Sequence, residues 1–215
     1  MKTKITKSLT LFFSILASIL LVTSCAVTSM VQKNVTYVSP NLTLSSLNNM
    51  GLALLPIVAG SGVEGYRRPF GEAMNIVGDS ILTNFMPWNV TLDKINNANL
   101  VAEYNNAIQA YQETGIIDRT ILQKLSDATG TNYFFFVKLS PPTSKTKLTY
   151  GFSGLTTTET KSVSAFGLIW SASDGDVVWE GNSSANVTTG DYTYTKETDM
   201  DRAIKVAKAL MSSLK

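Results

Sequence analysis

Leu52 to Val58 is a continuously apolar run. It predicts a strand covered on both faces, with Pro56 near its end or at a sheet edge. Beyond a glycine-rich loop, Phe70, Met74, Val77, Ile81 and Phe85 recur at spacings of three and four with polar residues between them. That period predicts a helix, opened by Pro69 and stopped by Pro87. Trp88 to Leu92 reads as a short second strand. Helical spacing returns at Leu100, Tyr104, Ala107, Ile108 and Tyr111, and again at Ile121, Leu122, Leu125 and Ala128, where Asp118 supplies the cap and Gly130 the stop.

Tyr133 to Val137 is aromatic and β-branched, too short for a helix, and reads as a buried strand. Val163 to Trp170 and Val177 to Val187 supply two more, joined across Asp174-Gly175. A two-residue hairpin loop there sets Trp170 opposite Trp179. The chain closes on an amphipathic helix with Thr198 and Asp201 as a capping box and Ile204, Ala207, Leu210, Met211 and Leu214 on one face. The order β-α-β-α-α-β-β-β-α predicts an α/β (α+β) fold. It is a single sandwich domain, with helices packed on a mixed sheet of about four to six strands.

The first 49 residues follow a different pattern. Lys2, Lys4 and Lys7 precede a largely apolar stretch from Leu9 to Val22, then small residues and Cys25, the only cysteine. This is the layout of a lipoprotein export signal, residues 1–24, with Cys25 as the lipidated first residue of the mature chain. The apolar stretch is shorter than the roughly 20 residues a membrane-crossing helix needs. An ordinary secretory signal is the other reading, with the same compartment and no anchor. Residues 25–49, rich in Ser, Thr, Asn and Val, read as the lipidated cysteine and a flexible tether of about 25 to 30 Å reach, in which Val35 to Val38 has the composition of an edge strand. Residues 50–215 form the globular domain. By analogy with lipoprotein sorting, Ala26 after the cysteine favours the outer membrane, facing the periplasm.

Losing the signal removes three of the 18 basic residues and leaves a nearly neutral chain, without the basic stripe a nucleic-acid binder shows. The sequence has no histidine, which removes Ser-His and Cys-His nucleophiles and the common zinc sites. Neither a metal nor a cofactor is expected. Gly60, Gly62 and Gly65 spell G-x-G-x-x-G after a strand, but Tyr66 to Pro69 delay the helix on which a pyrophosphate would sit, so a loop is the better reading. Ser212 and Lys215 form S-x-x-K at the last residues of a terminal helix, where no enclosed pocket is expected. Asp174 with Asp176 and Asp199 with Asp201 belong to a turn and a helix start rather than to a substrate cleft. No catalytic residue is assigned, and the chain reads as a non-enzyme.

Gly51 to Ile57 with its following helix, Gly130-Thr131-Asn132-Tyr133-Phe134, Asp174 to Glu180 and the terminal helix together resemble a group of envelope lipoproteins. That group includes the curli secretion channel, the lipoprotein activators of penicillin-binding proteins and the amino-terminal domain of the Tol-Pal propeller protein. The resemblance covers nearly all of Gly51 to Lys215, and it implies binding rather than catalysis. Val137 departs from the group, where a glycine is frequent.

Lys147 to Leu155 alternates, with Leu148, Tyr150, Phe152 and Gly154 to one side. Nine such residues suit either a barrel strand crossing a bilayer or a soluble ribbon with aromatic residues at its tip. The resemblance implies the first through the curli channel; the weak barrel signal favours the second. Tyr192 and Tyr194 are a poorer second hairpin. The sequence thus predicts a lipid-anchored accessory or scaffold protein of the bacterial envelope that binds another envelope protein, with Arg67, Arg68, Tyr150, Phe152 and Leu155 as contact residues. The alternative is a subunit of an oligomeric outer-membrane secretion channel, so a homo-oligomer is among the assemblies expected.

Overall fold

The computed structural model describes residues 28–151, 154–190 and 197–214. Its sheet is seven-stranded and mixed. The strands are β1 (Thr28–Val38), β2 (Leu52–Leu54), β3 (Val58–Ala59), β4 (Phe85–Met86), β5 (Tyr133–Gly151), β6 (Gly154–Ser171) and β7 (Val177–Gly190). They are ordered β1-β7-β6-β5-β2-β4, with β3 also on β5. β2 runs parallel to β4 and β5, while β5, β6, β7 and β1 form an antiparallel meander.

Six helices cover the two faces: α1 (Leu44–Met50), α2 (Arg67–Ile81), α3 (Trp88–Asn97), α4 (Val101–Thr114), α5 (Arg119–Thr129) and α6 (Asp199–Ser212). Strand alternation divides the apolar residues between two cores. Leu52, Leu54, Phe135 and Val137 meet Leu47, Phe70, Met74, Val206 and Leu210 of α1, α2 and α6. Ala53, Leu55, Phe134 and Phe136 meet Ile95, Ile108, Leu122 and Leu125 of α3, α4 and α5. The continuous apolar runs at 52–58 and 133–137 are therefore covered on both faces, as their patterns predict.

Four sequence expectations give way. Pro56 breaks the first strand in two: β2 pairs Leu52 with Tyr133, but β3 pairs Val58 with Lys138, a register one residue shorter. Pro56 has no N–H to keep the ladder continuous. The segment Trp88 to Leu92 is helical, not a strand. Pro87 in extended geometry caps α3, and Thr91 and Ile95, one turn apart, are its buried face. The short strand is Phe85–Met86 instead, and α2 ends at Ile81.

The tether is shorter than expected. Thr28 to Val38 pairs with β7 along its length, from Thr28 on Thr188 to Val38 on Trp179, and α1 follows with its own capping box of Thr43 and Ser46. The Ser/Thr/Val composition that suits a solvated chain also suits an edge strand, and β7 supplies the open edge.

The hairpin register also differs. Ser171 and Asp176 close a four-residue loop, with Gly175 at φ +81°, so Trp170 pairs with Val177 and, after an irregularity, Ile169 pairs with Trp179. That single step sends the two indoles to opposite faces. Trp170 packs on Phe136 and Tyr111 at ring separations of 5.3 and 5.0 Å, while Trp179 meets Phe135 edge-on at 5.6 Å in the other core.

Candidate functional site

β5 and β6 outrun the cores. Leu139 and Val163 are their last fully buried apolar residues before the pair crosses the register shift between Ser140 and Thr143, where Pro141 and Pro142 sit. From there Thr143 to Gly151 pairs with Gly154 to Ser162, an overhang of nine residues on each strand and about 30 Å. Among the described residues β7 accompanies it to Gly190, opposite Thr158, and β1 to Thr28, opposite Thr188; beyond them the described part of the ribbon is the β5–β6 pair.

Its faces differ. Tyr150 pairs with Leu155, and both lie on one face with Leu148; these side chains are 85, 63 and 63 % exposed. Farther down the same face Ser144 donates to Glu159 Oε1 at 2.8 Å, and Lys161 Nζ lies 3.7 Å from Glu159. The opposite face carries Lys145, Lys147 and threonines, with the Thr143 and Ser162 hydroxyls bonded at 2.6 Å. The tip is thus apolar on one side and basic on the other, and its apolar part is short.

The other predicted contact residues are elsewhere. Gly60 donates its N–H to Leu139 O and abuts Pro141, so the glycine loop joins the sheet at the ribbon's base, roughly 30 Å along β5 from Gly151. Arg67 and Arg68 open α2 after that loop, both exposed, and Arg68 Nε pairs with Glu72 at 2.9 Å. The structure brings Tyr150 and Leu155 together but does not bring the arginines to them. Phe152, Tyr192, Tyr194, Lys215 and Cys25 lie outside the described residues.

The G-x-G-x-x-G segment leads into a single 3-10 turn at Glu64–Tyr66, and α2 begins only at Arg67, after the motif. Of the carboxylates considered for chemistry, Asp174, Asp199 and Asp201 have structural partners. Asp174 accepts from Ser171 Oγ at 3.2 Å, and Asp199 pairs with Arg202. Asp201 accepts from the Thr198 N–H and hydroxyl, and Asp118 from the Thr120 N–H; these bonds hold both carboxyls below their ordinary range. Burial pushes the Tyr104 phenol up, and burial with the nearby Glu180 charge does the same to Tyr111. Among the described residues no three His, Cys, Asp or Glu side chains gather as a metal site.

Three features escaped the sequence reading. One is the length of β1. The second is a cleft of about 180 Å³ lined by Val38, Leu42, Leu47, Trp179 and Leu214, formed where β1 and α1 meet α6. The third is Arg202, 2 % exposed, whose guanidinium pairs with Asp199 and donates to Glu197 O at 3.3 Å. Its place between Asp201 and Ala203 carries no signal of burial.

The class defined by these features is a mixed α/β sandwich with one long antiparallel ribbon projecting from the sheet. No protein-family model matches the sequence, and no curated protein does. Among solved structures, the chain is similar to the PelC dodecamer from Paraburkholderia phytofirmans. The two are 12 % identical over 87 % of this chain and 97 % of that one, with a TM-score of 0.41. Lipoprotein GNA1162 from Neisseria meningitidis is 13 % identical over 75 % of this chain and 92 % of its own, with a TM-score of 0.35.

Proposed function

We propose that this protein is a lipid-anchored, non-enzymatic accessory or scaffold lipoprotein of the bacterial envelope. It is held to the outer membrane on the periplasmic side through Cys25 and works by binding another envelope protein. The observation that carries the reading is the position of the leader relative to the fold. A basic, then apolar, then small-residue segment ends at Cys25, and three residues later Thr28, the first described residue, is already paired in the sheet. The carboxylates with caps and ion pairs as partners, and a sequence without histidine, support binding over catalysis.

A channel subunit is the second reading, favoured by the nine-residue overhang, about the length of a barrel strand. Glu159 and Lys161 weigh against it: they share the face of Leu148, Tyr150 and Leu155, where a lipid-facing strand stays apolar across a band of about 25 Å.

The test is native mass spectrometry of the full-length protein extracted in mild detergent, with peptide mapping of its amino terminus. The expected result is a diacylglyceryl-modified, N-acylated Cys25 on a monomer or small oligomer, with cross-links to a second envelope protein. A cysteine without acyl mass would overturn the anchor. A large uniform ring would overturn the accessory role in favour of the channel.

A further inference from the structure

The lipid anchor and the ribbon tip leave the sheet at the same end. β5 runs outward to Gly151, β6 returns, β7 runs outward and β1 returns, so β1 begins at the outward end. Thr28 lies in one ladder row with Thr188, Thr160 and Lys145. The tip at Gly151 is six residues beyond that row on β5, about 20 Å. Cys25 is three residues before Thr28, and three fully extended residues span at most about 11 Å. Even at full stretch toward the tip, the anchored residue therefore stops about 10 Å short of it.

A tether of some 24 flexible residues would leave this geometry free; β1 removes that freedom. With the acyl chains of Cys25 in the bilayer and the sheet end-on, the surface reached by Cys25 is one the ribbon tip must already have passed. The side chains at that level are Leu148, Tyr150 and Leu155, all largely exposed and on one face. Lys145 and Lys147, lower down and on the opposite face, have stems long enough to reach headgroups. Tyrosine at the boundary and lysine behind it is the arrangement that membrane interfaces favour. The apolar part, from Leu148 to Gly151, is too short to cross about 30 Å of hydrocarbon but matches the 5–10 Å depth of an interfacial contact.

We infer that the tip of the β5–β6 ribbon is a second membrane contact of this protein, with Leu148, Tyr150 and Leu155 immersed in the headgroup and upper acyl region of the leaflet that holds the Cys25 lipid. This rests on the lipid-anchor reading. The two contacts fix the orientation of the sheet relative to the bilayer: the ribbon stands along the membrane normal and the helical layers are held away from the surface.

The test uses the acylated full-length chain, in which Cys25 has no free thiol, so that Leu155→Cys offers a single site for a nitrobenzoxadiazole label. Tyr150→Cys serves as a second tip position and Lys138→Cys, at the ribbon's base, as the control. Each is reconstituted into phosphatidylethanolamine–phosphatidylglycerol vesicles carrying a nitroxide at acyl carbon 5 or carbon 12. Both tip labels are expected to shift to the blue and to be quenched about threefold more by the carbon-5 nitroxide than by the carbon-12 one, with the Lys138 position unquenched, as a shallow contact requires. Unquenched tip labels on vesicle-bound, acylated protein would overturn the tip contact while leaving the anchor intact. Stronger quenching at carbon 12 would overturn it in favour of a spanning hairpin. An amino-terminal peptide without acyl mass would overturn the anchor and, with it, the tip contact.

Discussion

Removing the Trp179 indole tests whether its ring fills the core beneath α6. Trp179 is 1 % exposed, meets Phe135 edge-on, and its ring lies so close to Gly181 that an added Cβ would sit 2.7 Å from it. Trp179→Ala therefore loses a fully buried ring and opens a cavity beside the cleft that Val38, Leu42 and Leu214 line, a change that costs about 3–5 kcal/mol. For a chain of this size each kcal/mol shifts Tm by about 2–4 °C, which gives a fall of about 6–20 °C. Trp179→Phe keeps most of the apolar contact and should recover more than half of the loss. The assay is a thermal melt followed by far-ultraviolet circular dichroism on the detergent-solubilised protein, with Tyr150→Ser on the exposed ribbon as the control. A fall below 2 °C for Trp179→Ala, or equal falls for the two variants, would refute the placement of Trp179 in the core beneath α6.

Three further outcomes are expected. Gly78→Ala pushes a methyl to 2.5 Å from the Phe85 ring, an overpacking that costs about 1–3 kcal/mol, whereas Gly65→Ala meets nothing within 4 Å and should melt with the parent. Because Asp118 and Asp201 have folded-state pKa values below their unfolded ones, their contribution is complete above about pH 4 and is lost as pH falls through the lowered values. The urea midpoint should drop as pH falls from 5 to 2.5, and the Asp118→Asn/Asp201→Asn double variant should show a shallower drop; parallel curves would contradict this. Asp199→Asn strips the counter-charge from Arg202, which is 2 % exposed. With the Asp199 side chain itself 36 % exposed, the loss should be about 2 kcal/mol by urea titration, below the range for fully buried pairs.

The helices that the sequence foretold are those whose apolar residues repeat every three or four positions and whose ends carry a cap. α5, with Asp118 and Gly130, and α6, with the Thr198–Asp201 box, stand where the pattern put them. Trp88 to Leu92 misled because β-branched Val90 and Thr91 favour a strand locally, and only packing of Thr91 and Ile95 into the second core decides for the helix. β1 was legible only at Val35 to Val38, which pair as the edge strand their composition suggested, and its length was hidden for another reason. From Met30 to Val38 every residue is exposed, so no alternation marks an inner face, and its place is set by the open edge of β7 some 150 residues away. Of the contact residues, Tyr150 and Leu155 were not legible as a pair: the alternation made Lys147 to Leu155 one strand with Leu155 on the side away from Tyr150, whereas β5 ends at Gly151 and β6 starts at Gly154, which sets the two opposite each other. The separation of Arg67 and Arg68 from them was not legible either, because it depends on where the glycine loop meets Leu139 and Pro141.

The pairing of β1 with β7 also imposes an order on how the chain becomes a protein. Thr28 finds its partner only when Thr188 has been delivered, so the earliest strand in the sequence waits for nearly the last. Contacts of such separation form late and slowly. Until then β1 is a bare, partly apolar edge of 11 residues, and β7 lacks its cover. A product truncated before β7 has no way to settle this strand and leaves the first core without Trp179 and Ala185. It is left with the exposed edges that draw proteases and aggregation. The β1 edge of the sheet is thus completed only on a chain that carries both Thr28–Val38 and Val177–Gly190.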